Sequence, residues 1–342
     1  MTNHASYLPA EWAVQSGIQL TWPDDTTDWE PILNDVIPVF EQMAREILQR
    51  EKLLIVCRDQ KQLPEFLQQK NERLIIREMP VNDTWARDHG AITIIENGKP
   101  TLLNFRFNGW GMKFPANLDN QITPTLLRNN TFKNDIRLLD LSYFTLEGGA
   151  IESNGNGCLL TTSKCLLSKN RNEHLSQQKI ELLLKKTLNV EKILWLNHGF
   201  LEGDDTDSHI DTLARFCNEN TIAYVKCVDP KDVHFEALQK MEAELQQLTD
   251  QSGNTFNLVP LPFPSAIYDE NAHQLPATYA NFLILNKTVL LPVYEVKQDQ
   301  KAIDVLQELF PDREIIPVNS RTLIKQHGSV HCISMQFPKG VL

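Results

Sequence analysis

The sequence predicts an α/β protein of five strand–strand–helix–strand units, set in a ring and closed through the two chain ends. Three observations predict it. One order of elements recurs along the chain, turn signals fall at matching places within it, and a strand-like run is left over at the C-terminus.

The recurring order is clearest in residues 91–140. AITIIE and TLLNFRF flank Asn97-Gly98, and Asn-Gly between apolar runs is the strongest short hairpin signal. A short helix and the strand IRLLDL follow. Residues 150–196 repeat the series with AIES, an NGNG turn, CLLTT, a helix around His174–Leu188 and KILWL. Residues 209–261 carry HIDTLARF, a turn at Asn218-Glu219-Asn220, TIAYVKC, a helix near Val233–Leu248 and FNLVPL. Residues 280–318 give ANFLILN, a turn at Asn286-Lys287, TVLLPVYE, a helix near Lys301–Leu309 and REIIPVN. The remaining unit is split. IQLTW, a helix near Trp29–Gln49 and LLIVC open the chain, and VHCISMQ at the far end supplies the missing strand. Each unit then buries its apolar face on its neighbours, and residues 1–342 form one catalytic domain. A plain α+β sheet with helices on one side is the alternative that periodicity leaves open.

Bulk properties narrow the partners. The formal net charge is −11 over 342 residues, which argues against a nucleic-acid surface, since that needs a basic stripe. An acidic chain instead attracts cationic ligands at long range. No apolar stretch approaches the roughly 20 residues of a membrane span, and Met1 to Glu11 lacks the pattern of a secretory leader. The six cysteines form no tight pair, and five lie in or beside apolar strand-like runs. That usage suits buried free thiols in a reducing cytoplasm. Oligomeric state stays open, a homo-oligomer included.

Candidate chemistry gathers at the openings of the units. Asp88 follows Trp85-Ala-Arg, Glu147 precedes Gly148-Gly149, His209 and Asp211 lie in GDDTDSHID, and Cys332 begins the last strand. In a ring these positions converge at one end of the axis. On a strand His209 and Asp211 share a face, because side chains alternate with period two. Singly, each has a bland reading: a core thiol, a surface ion pair, a solvated edge. Together they supply a thiol, a histidine to move its protons and acids to orient both. A guanidinium, planar and five-fold donor, demands such in-plane carboxylates.

The segments LPAEW, QLTWP, WARDHG, NGWG, LEGGAIESNGNG, GDDTDSHIDTLARF, NFLILN, LQELFPDREI and GSVHCISMQ run in order along nearly the whole chain. With them the sequence resembles the agmatine deiminases and the related bacterial peptidylarginine deiminase-like proteins. The resemblance implies the pentein fold, a five-bladed pseudosymmetric α/β propeller of ββαβ units, and chemistry without a metal or organic cofactor. By motif it implies Cys332 as nucleophile and His209 as general acid/base. Asp88 and Asp211 become the guanidinium carboxylates and Glu147 the acid that holds the histidine. Trp85 and Trp110 become substrate-binding aromatics, and Asp205 the group facing a distal ammonium. One departure stands out. Gln326-His327-Gly328-Ser329 occupies a segment that is glycine-rich in the family, so the pocket rim differs, and neither His327 nor His331 acquires a role. The expected reaction is hydrolysis of a small cationic guanidine, agmatine foremost, through a covalent thiouronium. A peptidylarginine deiminase, an amidinotransferase and a non-catalytic binding protein are the rival readings.

Overall fold

The computed structural model describes residues 6–342. The first five residues, part of the stretch read for a leader, lie outside them. Asn97 and Gly98 take φ of 51° and 78°, the left-handed pair that a type I′ turn requires, so Glu96 registers with Lys99. Strands Ile92–Glu96 and Lys99–Arg106 are therefore antiparallel, and Arg137–Thr145 joins the second in parallel after helix Ile122–Arg128.

The same topology recurs four times more. Ile151–Ser153 and Cys158–Thr162 pair antiparallel, and Lys192–Leu196 adds in parallel after helix Gln177–Leu188. Ala214–Asn218, Thr221–Lys226 and Asn257–Pro262 repeat it around helix Phe235–Leu245. Leu283–Leu285, Thr288–Val293 and Glu314–Asn319 do so around helix Asp299–Leu309. In the split unit Ser334–Pro338 pairs antiparallel with Gln15–Thr21, which runs parallel to Lys52–Cys57 across helix Leu33–Arg50. The two chain ends thus share one sheet, as the leftover run predicts.

Periodicity explains the packing. Helix Leu33–Arg50 buries Val36, Val39, Phe40, Met43, Ala44 and Ile47, the three-and-four spacing of one apolar face. Cys158–Thr162 is buried at every position, as expected of a middle strand covered on both sides. All six cysteines are free and buried.

Three details depart from the sequence reading. His209 and Asp211 are not on a strand: His209 precedes a 3-10 turn, Ile210–Thr212, and the strand starts at Ala214. Cys332 likewise lies in the turn before Ser334–Pro338. Both segments are buried, and periodicity cannot tell a buried turn from a buried strand end. The third detail is an addition, a fourth strand at Leu74–Glu78 parallel to Lys52–Cys57.

Candidate active site

Each unit delivers a polar side chain from the turn just ahead of its first strand. Asp88 lies in the short helix Ala86–His89, Glu147 precedes the 3-10 turn Gly148–Ala150, and Cys332 precedes Ser334–Pro338. His209 and Asp211 come from the fourth unit. The fifth contributes Asn281, ahead of Leu283–Leu285, a residue the sequence reading passes over although it lies in the quoted NFLILN segment. Turns suit the task because their side chains converge while the strands behind them stay packed.

Cys332 is 6% exposed, at the base of a cavity of about 330 Å³. Asn281 donates a side-chain N–H to its sulfur at 3.2 Å, and Asp211 Oδ2 lies 3.9 Å from it. Burial, with Asp211 and Asp88 close by, pushes the thiol well above its ordinary pKa. The resting group is a thiol, and a bound cation is what favours the thiolate.

The two carboxylates differ. Asp88 accepts from Trp110 Nε1 at 2.9 Å and from the Gly149 backbone N–H at 3.0 Å. Burial outweighs the help of His209 and lifts its pKa to about 6. Asp211 accepts from His331 Nδ1 at 2.7 Å through Oδ2, while its buried Oδ1 has no hydrogen-bond partner among the described residues. Burial alone would raise Asp211, but the His331 hydrogen bond and charge hold it below the usual carboxylate range. Asp211 therefore offers an ionised, unoccupied acceptor beside the sulfur.

His209 is 1% exposed, with Nδ1 3.7 Å from Asp88 Oδ1. Burial opposes a charge on the ring, yet Asp88, then the neighbouring Cys165 and then Glu147 outweigh it and raise its pKa well above the ordinary value. The ring is thus poised to give a proton. Gly149 makes room for this grouping. A Cβ there would come within 2.6 Å of His209 Nδ1 and 2.9 Å of Asp88 Oδ1, so any side chain would wedge the pair apart.

Glu147, the acid expected to hold the histidine, is also engaged by a base. Both its oxygens accept from Arg171 Nε, at 2.8 and 3.1 Å. Its carboxylate lies within 4.8 Å of His209 and of Cys165 Sγ. These three are a possible metal-ligand set, but with both oxygens engaged by Arg171 the carboxylate is poorly disposed to bind an ion. Arg171 also bonds Asp207 and the Thr206 carbonyl, tying the acidic loop to Glu147.

The upper cavity is aromatic and acidic. Trp85 and Trp110 stand edge to face with centroids 6.0 Å apart, and both line the cavity with Asp205 and His327. A Cβ on Gly328 would run into the Trp85 ring, so the glycine kept at that point of the variant segment lets the wall close. Trp110 is held at φ 54°, an unusual conformation for a bulky residue; its indole N–H meets Asp88. In the acidic loop, Asp204 accepts from Thr206 and Ser208, and Asp207 pairs with Arg171 and Lys113. Asp205 is the loop acid that lines the cavity.

The sequence profile of the Porphyromonas-type peptidyl-arginine deiminase family matches residues 7–338. The chain belongs to that family. A Vibrio parahaemolyticus protein provisionally named agmatine deiminase is 33% identical, with 97% of this chain and 96% of the other aligned. A P. gingivalis structure provisionally named arginine deiminase is 49% identical with a TM-score of 0.93, over 98% of this chain and 99% of that one. The C. jejuni agmatine deiminase with substrate bound is 37% identical at TM-score 0.92, over 100% and 99%. At 12% identity and TM-score 0.53, DDAH from Pseudomonas aeruginosa shares the fold. The architecture is the α/β pentein fold that the resemblance implies, and its five units are those read from the repeat.

Proposed function

We propose that this family member is an agmatine deiminase, converting agmatine and water to N-carbamoylputrescine and ammonia. The observation that carries the reading is the pairing of Asp88 and the unoccupied Asp211 Oδ1 beside Cys332 Sγ. A planar cation laid against those carboxylates brings its central carbon to the sulfur. The relatives named as agmatine deiminases, at 29% to 37% identity, support the substrate.

In this mechanism Asp88 and Asp211 bind the guanidinium nitrogens, and the added positive charge favours the thiolate of Cys332, whose proton passes to solvent water and which Asn281 steadies. Sulfur bonds to the guanidinium carbon. His209 gives its proton to one nitrogen as that C–N bond breaks, ammonia leaves, and a thiouronium remains. Water, losing one proton to His209, attacks the same carbon; as the C–S bond breaks and the carbonyl forms, its second proton returns to the Cys332 sulfur. Positioning and general acid–base transfer supply the acceleration. Trp85 and Trp110 wall the flat head, and Asp205 meets the distal ammonium.

The protein acts as a single catalytic domain on a small molecule in the cytoplasm. A colorimetric ureido assay over agmatine, arginine, peptidyl-arginine and an amine acceptor tests the reading. Turnover of agmatine above the others supports it, and citrulline formed in peptide as efficiently would replace it with protein citrullination.

A further inference from the structure

His331 is sandwiched between two carboxylates. Its Nδ1 lies 2.7 Å from Asp211 Oδ2 and its Nε2 2.7 Å from Glu11 Oε2, and the ring is 1% exposed. Contacts this short between a ring nitrogen and a carboxylate oxygen each need a proton between them. A neutral imidazole brings one N–H, so the second proton must sit on the ring or on an acid.

The surroundings say where. Glu11 also accepts from Arg215 Nη2 at 2.8 Å and from the Ile284 backbone N–H at 2.7 Å, and Arg87 Nη2 stands 3.8 Å away. Arg215 in turn bonds Glu152 at 2.9 Å. Three acids, Glu11, Glu152 and Asp211, thus face three bases, Arg87, Arg215 and His331, beneath the nucleophile. Charges balance in this buried set when the ring is an imidazolium, and a balanced set is the one that avoids an uncompensated buried charge. Burial, Arg215 and Arg87 together hold the ring's pKa below its ordinary value against Glu11 and Asp211, so it is the two short contacts and the charge balance that place the second proton on the ring.

We propose that His331 is a positioning residue, a doubly protonated ring clamped between Glu11 and Asp211 that keeps Asp211 ionised and turns its free Oδ1 toward the guanidinium. The inference rests on the reading that Asp211 binds the substrate cation. Glu11, far away at the start of the chain, becomes the anchor of the clamp, and its separation of 320 residues from His331 shows that closing the two chain ends assembles it.

The test has two arms. Histidine-selective 15N labelling of the free wild-type protein reads the ring directly, with the His331 signal assigned by its shift in Glu11→Gln. Two protonated nitrogens at about pH 7 are expected; a neutral tautomer overturns the proposal, whatever the substrate. In the second arm, His331→Asn is assayed with whichever guanidine the wild type turns over. KM should rise at least about tenfold with kcat changed much less, as Asp211 loses the cation that holds and aims it, while the acid limb set by Asp88 stays near pH 6. A variant that loses only thermal stability, with KM in place, assigns His331 a purely structural role and refutes the clamp.

Discussion

Asn281 donates its side-chain N–H to Cys332 Sγ across 3.2 Å, and its Oδ1 accepts the backbone N–H of His331 at 3.0 Å. One amide thus steadies both the sulfur and the turn that carries it. Asn281→Ala should raise the thiol pKa further, by up to about one unit for a lost neutral hydrogen bond. The rate of alkylation by iodoacetamide against pH reports this. A titration that does not move removes Asn281 from the sulfur's environment.

Cys332→Ser should lose nearly all turnover while retaining substrate binding, because a hydroxyl without a matched base is a much weaker nucleophile. A haloacetamidine, a guanidinium mimic, should label Cys332 and leave the other five cysteines untouched. Intact-mass and peptide mapping place the label. Modification elsewhere, or an active serine variant, contradicts the covalent mechanism.

Asp88, with its pKa lifted to about 6, predicts a pH dependence whose sign follows from charge. The ionised carboxylate attracts the cationic substrate, and protonation removes that attraction, so kcat/KM should fall as pH drops through about 6. Asp88→Asn should abolish that limb and lower kcat/KM at neutral pH by about ten- to a hundredfold, the usual cost of a charge-assisted hydrogen bond. A pH profile in Asp88→Asn that keeps the wild-type acid limb would assign the limb to another group.

The parts of the molecule that are legible in sequence are those encoded locally. The Asn97-Gly98 turn and the apolar face of Leu33–Arg50 announce themselves within a few residues, and the five units follow from their order. Cys332, His209, Asp88 and Asp211 are chemically conspicuous and sit at equivalent points of that order. Asn281 is not, because ANFLILN reads as an apolar strand with two amides near its ends. Glu11 and His331 gain meaning only through a contact spanning the whole chain, which no local pattern encodes. Arg171 resembles any helix arginine until Glu147 is brought against it. The turns at 209–212 and 330–333 look like strands because they are buried, and burial there comes from the centre of the ring. Leu74–Glu78 is short and half charged-flanked, so it carries little alternation to read.

Substrate choice gives the last prediction. Agmatine ends in an ammonium where arginine carries an α-carboxylate. Besides Asp88, the cavity is lined by Asp28, Asp83, Asp119 and Asp205. Of the cationic side chains that line it, Arg58 is already held by Asp24 at 3.4 Å and by the Val81 carbonyl at 3.1 Å. A carboxylate entering there meets like charge, and an ammonium meets partners. Agmatine should therefore exceed arginine in kcat/KM by at least about two orders of magnitude, roughly 2.7 kcal/mol of transition-state discrimination. Asp205→Asn should narrow that gap mainly by raising KM for agmatine, with arginine little changed. Steady-state kinetics on both substrates decide it. A gap that persists in the variant keeps agmatine as substrate but transfers the ammonium contact to Asp28 or Asp83, while equal efficiency in the wild type removes the reason to expect an ammonium there at all.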